Sequence, residues 1–268
     1  MAAEISAQLV RELRERTGAG MMDCKRALQE TNGDVEAAIV ILREKGKAQA
    51  EKRADRATTE GLVGYRLAED GSRGTMVAIG CETEPVSKND EFQAFGQKAL
   101  DLVEAEGVDA IEHLEEERTE LSAKLGENIA VAGAARFEAV AGGRVAAYVH
   151  PPANKLGVLV LVRGGDPELG RKLAMHIAAS NPRWVGREDV PGEDVAAERE
   201  IFANSDEVQS KPEQAREKIV EGMLNKRFFQ AQVLTEQEWI HDGSATVGEV
   251  LADAGAAVLE FERFSLSG

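Results

Sequence analysis

Apolar positions in the first fifty residues recur at the three-and-four spacing of a helix, with two glycine-containing interruptions. Leu9, Val10 and Leu13 form a first stripe behind Ser6, a residue able to cap a helix, and the stripe stops at "TGAG". Met21, Met22, Ala27 and Leu28 mark a second helix, and Val35, Ala38, Ile39 and Leu42, after "NGD", mark a third. The pattern predicts a compact three-helix bundle of about 45 residues. Two adjacent methionines face different directions around a helix, so at least one of Met21 and Met22 is expected at the surface, where a soft side chain suits protein binding. The following "KGKAQAEKRADRATTE" is charged and lacks large apolar residues, as a helical or flexible connector would.

From Gly61 the period changes. "LVGYRL" and "TMVAIG" flank the turn "AEDGSRG" and predict two antiparallel strands. A helix over 88–106 comes next, burying Phe92, Phe95, Ala99, Leu102 and Val103, then a helical stretch "HLEEERTELSAKLGENI" with Leu114, Leu121 and Leu125 inward. The same order repeats in "RVAAYVH", "PPANK", "LGVLVLV", "RGGDPELG" and "KLAMHIAAS". Tyr65 and Tyr148 hold comparable places in the two leading strands, which indicates a duplicated strand–strand–helix unit. Two helical stretches between Pro182 and Gln230, around 195–208 and from near Pro212, predict an antiparallel hairpin packed through Ile201, Phe202, Ile219, Met223 and Leu224. A short helix over 247–254 and a strand over 258–264, able to return to the second sheet, end the chain. The fold class is α+β: an N-terminal three-helix domain, two related antiparallel-sheet-plus-helix core halves and an inserted helical hairpin.

Composition narrows the function. With 268 residues and 43% hydrophobic content the chain can bury one large domain or several small ones, and with only 4% aromatics the core must rest on Ala, Val, Leu and Ile. A formal charge of −16, from 48 acids against 32 bases, without a basic stripe, argues against direct nucleic-acid binding. No apolar run approaches the roughly 20 residues that span a bilayer, and the N-terminus lacks a signal-peptide core, so neither membrane nor export is expected and the cytoplasm is the expected location.

Candidate chemistry is sparse. "GDPELGRKL" has the glycine spacing of a phosphate loop but Arg171 and Lys172 where Lys and Ser/Thr belong, and "GAGMMD" follows no strand. Cys24 and Cys81 have no CxxC partner, and the four histidines stand in no ligand spacing, so no metal and no cofactor are expected. Cys81 has Glu82 and Glu84 as neighbours, which push a thiol away from the thiolate a nucleophile needs. His176, inside "AMHIAA", reads as a core residue; His150, before two prolines at a strand end, reads as exposed, and a loop histidine without a task satisfies the sequence equally. The residues describe an acidic interaction protein without an enzyme site.

"ELRERTGAGMMDCKRAL" at 12–28 and "NGDVEAAI" at 32–39, with "CETEPVSKNDEFQAF", "KLGENI", "LAMHIAAS", "KIVEGML" and "TVGEVL" in order behind them, resemble bacterial elongation factor Ts over nearly the whole chain. The resemblance implies a guanine-nucleotide exchange factor for elongation factor Tu, taken in its GDP-bound and nucleotide-free forms, acting without covalent chemistry. It implies a ubiquitin-associated-like domain at 1–55, an N-terminal core half at 56–142, a C-terminal core half at 143–182 and 231–268, and a dimerisation-type hairpin at 183–230 through which a homodimer could form. Leu13, Met21 and Met22 map onto the grip on a partner helix. Thr83, Glu84, Pro85 and Val86 map onto the family's TDFV segment, which enters the partner beside its nucleotide and dislodges Mg²⁺; Leu125, Gly126 and His150 map onto contacts near the phosphate end of that site. Glu84 and Pro85 stand where the family pattern has Asp and Phe, so the aromatic wedge is missing. Without the resemblance, a passive adaptor, binding through the three-helix domain on a scaffold core, accounts for the same residues.

Overall fold

The computed structural model describes residues 5–267. The three N-terminal stripes form α1 (Ala7–Thr17), α2 (Met21–Glu30) and α3 (Val35–Glu51). Ser6 accepts from the Leu9 amide at 3.2 Å and Asp34 from that of Ala37 at 3.0 Å, each satisfying a donor that the first turn of a helix leaves open. Gly18, at φ 68°, closes α1 in a left-handed conformation that side-chain-bearing residues adopt at a cost. Val10, Leu13, Cys24, Ala27, Leu28, Ala38 and Leu42 meet in the bundle core. The charged connector is helical as far as Glu51, because α3 runs on through it.

Strands β1 (Glu60–Leu67) and β2 (Arg73–Cys81) lead into a single helical turn α4 (Glu84–Ser87), the long α5 (Asp90–Glu106), a 3-10 stretch Val108–Leu114, α6 (Glu115–Leu125) and β3 (Ala130–Glu138). The sheet order is β1-β2-β3, so a third strand joins the two expected from the pattern. "AVAGAARFE" escapes a reading by alternation because alanine and glycine occupy both faces. Ile79 and Cys81 of β2 pack with Phe92, Phe95 and Ala99 of α5, Leu121 of α6 and Ile129. Of the expected α5 stripe, Leu102 is partly buried and Leu100 is the buried residue beside it. α3 lies against α6 so closely that a Cβ on Gly46 would stand 2.9 Å from that of Ala123, while Arg43–Glu120 and Lys47–Glu116 pairs line the exposed flank.

Packing divides the chain into two compact units. One takes the chain up to Gly64, Val77–Ala134 and the last residues from Leu266; the other takes Tyr65–Met76 and Ala135–Ser265. In the second unit β4 (Gly143–Val149), β5 (Leu156–Arg163) and β6 (Ala257–Ser265) form an antiparallel sheet in that order, with Ala146 opposite Val160 and Val158 opposite Arg263. The last strand therefore does return to the second sheet. α7 (Pro167–Ser180) lays Leu173, Ala174 and Ile177 on Val158, Val160 and Val162, and a Cβ on Gly170 would come within 2.9 Å of Ala146.

α8 (Gly192–Ala203), α9 (Asp206–Gln209) and α10 (Glu213–Met223), a π-helical turn Leu224–Phe229 and α11 (Gln230–Gln232) make the hairpin region. Phe202 and Ile219 pack partly buried against Val220, Met223, Leu224 and Phe228, but Ile201, expected inside, is exposed. Pro212 stands just before α10, at its N-cap. α12 (Val247–Asp253) starts at a capping box in which Thr246 and Glu249 satisfy each other's amides.

His176 of α7 is fully buried, stacked on Trp239 with ring centroids 5.3 Å apart. The Ile240 amide donates to Nδ1 at 3.4 Å, so the neutral ring carries its proton on Nε2 and donates to Gln237 Oε1 at 2.9 Å. Burial lowers the pKa below the usual histidine range, with nearby His241 adding to it and the Gln237 bond opposing it. The unfolded chain takes up this proton first as the pH falls, so stability is complete above the ordinary value of about 6.5 and declines from there towards the lower folded value. Glu262, raised by burial and by Glu260, acts with the opposite sign above the carboxylate range. Urea unfolding of the wild type and of a His176→Leu, Gln237→Leu double variant, compared between pH 7.5 and 5, should show a fall in the wild type that the variant lacks; parallel curves would show that another group sets this dependence.

Candidate functional site

The sequence "CETEPVSKND" leaves the end of β2 as one turn of helix. Cys81 is buried, and its thiol lies 3.3 Å from the Thr83 carbonyl as a donor. Thr83 is the N-cap of α4 and Pro85 sits in its first turn, where a residue without an N–H loses nothing, since those amides have no partner inside the helix. Ser87 donates to the Glu84 carbonyl at 2.8 Å, and Asn89 accepts from the Glu91 and Phe92 amides to begin α5. The segment between β2 and α5 is therefore helical, with Thr83 at the N-cap of α4 and Asn89 at that of α5.

Thr83, Glu84, Pro85 and Val86 divide by direction. Val86 packs on the cluster of Ile79, Cys81 and Phe92, to which Leu125 also belongs. Thr83 does not cap α4 with its own oxygen; its hydroxyl instead donates to Glu127 Oε1 at 2.5 Å. Glu84 and Pro85 are the two that project, both exposed, and Glu84 is paired across the turn with Lys88 at 2.7 Å, which raises the Lys88 pKa.

The turn is held from the end of α6. Gly126 stands at φ 77° after Leu125, caps α6 by donating to the Ser122 carbonyl at 2.9 Å, and has open space where a Cβ would stand. Ser122 in turn donates to the Glu127 carbonyl at 2.5 Å. The Glu127 carboxylate then accepts from the Glu82 and Thr83 amides, both at 3.0 Å, while the Glu82 carboxylate accepts from the Asn128 amide at 2.7 Å. Arg56 reaches Glu82 at 3.3 Å, and the Asn128 side chain donates to the carbonyls of Ala54 and Arg56 at 3.0 and 2.8 Å. Thr83, Glu84, Pro85, Val86, Leu125 and Gly126 are thus brought together in one unit. Glu82, Glu127 and Asn128, which make the connection, were not singled out by the sequence; "GEN" carries no pattern beyond a helix stop, although an acid directly after a left-handed glycine is free to reach a neighbouring segment.

Met21 and Met22 open α2 and are 39% and 63% exposed, both available to a partner. Leu13 is 0% exposed and lies wholly in the bundle core, so it holds α1 in place and offers no surface of its own. His150, in the second unit, is exposed at the end of β4; its Nδ1 is 2.7 Å from the Tyr148 hydroxyl, and it precedes the cis Pro151–Pro152 bond. Among the described residues no cluster of His, Cys, Asp or Glu could hold a metal ion, and no helix is long and apolar enough to cross a membrane. Cys24 is buried, which raises its pKa and quiets it as a nucleophile.

A family model described as Elongation factor TS matches residues 82–268, beginning at the clasped turn. The chain is 42% identical to Elongation factor Ts of Thioalkalivibrio sulfidiphilus over 98% of this chain and 92% of that protein. It is 41% identical to Elongation factor Ts of Alkalilimnicola ehrlichii and 43% identical to that of Halorhodospira halophila, with the same shares covered. The N-terminal bundle, outside the matched model, carries "RTGAGMMDCKRAL" across the α1–α2 turn, and with relatives aligned over 98% of its length the chain belongs to the elongation factor Ts family.

Proposed function

We propose that this translation elongation factor acts as the guanine-nucleotide exchange factor of elongation factor Tu in the cytoplasm, binding its GDP form, promoting loss of Mg²⁺ and GDP, and leaving on GTP rebinding. The observation that carries the reading is the turn itself: two side chains, Glu84 and Pro85, project from a backbone fixed by Glu127 beside the open Gly126. Such a mount can press on a partner without yielding. Met21 and Met22 supply an adaptable apolar grip, His150 a further polar contact, and the hairpin is the surface for a homodimer.

Exchange of this kind is linkage. A protein that prefers the nucleotide-free GTPase weakens nucleotide binding by the same free energy with which nucleotide weakens its own. Removing Mg²⁺ strips charge neutralisation from the phosphates, and a release rate raised ~10⁴-fold corresponds to roughly 5.5 kcal/mol of barrier. Several contacts of ordinary strength reach that sum. In this chain the wedge is short: proline keeps the turn's shape but cannot fill an aromatic pocket, and Glu84 approaches with its charge already shared with Lys88. More of the effect then falls on the turn's backbone and on Leu125 and Gly126.

Elongation factor Tu loaded with fluorescent GDP, mixed with this protein and excess unlabelled GDP, should release its label far faster than alone; no acceleration at micromolar concentration would leave the adaptor reading in place. Pro85→Phe should leave that rate unchanged or raise it, and a large loss would show that the turn needs proline for its geometry. Replacing Met21 and Met22 together by alanine should weaken the complex about tenfold, as expected for losing part of two exposed apolar contacts, while Cys81→Ser leaves exchange nearly intact. The reverse pattern in a titration of complex formation and release would point to a thiol mechanism instead.

A further inference from the structure

The exchange of carboxylates between Glu82 and Glu127 goes beyond what holding the fold requires. Each of these acids accepts an amide proton from the other's segment, and the Glu127 fork takes three donors: two consecutive amides and the Thr83 hydroxyl. Thr83 is exposed, so water could satisfy its amide and hydroxyl if Glu127 were absent. Two of the fork's three bonds, those to Thr83, are ones that solvent can replace; what water cannot supply is direction. The Thr83 hydroxyl makes no capping bond to α4 and donates to Glu127, and Glu127 is itself fixed by Ser122 through its carbonyl.

We propose that Glu127 is a positioning residue for exchange, fixing the angle at which α4 presents Glu84 and Pro85, and that through Asn128 the same junction ties this angle to the segment 54–56 that follows the N-terminal helices. The circuit is closed on the second side: Asn128 donates from its backbone to Glu82 and from its side chain to the Ala54 and Arg56 carbonyls, and the Arg56 guanidinium returns to Glu82. Asn128 is buried, so its own three bonds are shielded from competing water. The inference rests on the exchange reading for its functional consequence, but the geometric claim stands without it. A two-point wedge built from the α4 turn and the Leu125–Gly126 bend delivers force only if the two points keep their separation, and Glu127 is the residue that spans them.

The test uses the full chain with Glu127→Ala, Glu127→Gln and Thr83→Val. Glutamine keeps an acceptor for the two amides and a donor for the Thr83 oxygen, so it should preserve the geometry with weaker bonds. Expected for Glu127→Ala is a saturating rate of GDP release from elongation factor Tu lowered about tenfold, the order of the loss of charge-assisted hydrogen bonds, with affinity for nucleotide-free elongation factor Tu and melting temperature nearly unchanged. Glu127→Gln should recover most of the rate, and Thr83→Val, which removes one arm, should fall between. In the free protein, amide hydrogen exchange at Glu82 and Thr83 should accelerate in the alanine variant and return towards wild type in the glutamine variant. Unchanged amide exchange in Glu127→Ala would overturn the geometric claim, and a wild-type release rate in that variant would overturn its functional half. A wild-type protein that does not speed release at all would instead remove the exchange reading and leave the amide result to decide the geometry.

Discussion

Small residues at the contacts between elements set the terms on which this chain packs. With few aromatics, rings fill the core only locally, as at Phe92 and Phe95 and at Trp239, and elsewhere elements approach closely through small residues. Gly46 on Ala123 and Gly170 on Ala146 are two such points, one helix against a helix and one helix against a strand. A methyl group at either glycine would sit closer to its neighbour than carbon atoms tolerate without a shift. The Leu, Ile and Val that complete the core can only interdigitate because these contacts set the spacing.

The same economy governs how far the fold was legible. Helices with a full apolar stripe, such as α5 and α7, declare themselves through Phe92, Phe95 and Val103 or Leu173 and Ile177. β5 does so through its run of Val and Leu, and Val258 and Phe264 announce the strand that joins it. β3 does not, because its alternation is carried by alanine and glycine, which differ too little in hydrophobicity between the two faces. Ile201 fails for the opposite reason: a large apolar residue promises burial, yet its helix turns Phe202 inward and leaves Ile201 to solvent.

The site was half legible in the same sense. Motif resemblance located α4 and the bend after α6 separately, and the exposed methionines followed from geometry on a helix. Leu13 could not be separated from them by sequence, since the spacing that makes a residue part of a stripe does not say whether a partner or the bundle's own core covers it. The links between the two segments were invisible because they are made by Glu82, Glu127 and Asn128, polar residues 45 or so positions apart in a chain with many others like them.

The division of α4 into inward and outward residues also bears on how the turn can vary. Thr83 and Val86 are held by the protein that carries them, one through a carboxylate and the other through a hydrophobic cluster, whereas Glu84 and Pro85 are exposed and Glu84 pairs with Lys88 at the surface. The helical turn is a fitting with an interchangeable face. Variation at Glu84 and Pro85 alters what the turn offers outward, while the Thr83–Glu127 bonds and the Val86 packing that anchor it are made by other side chains.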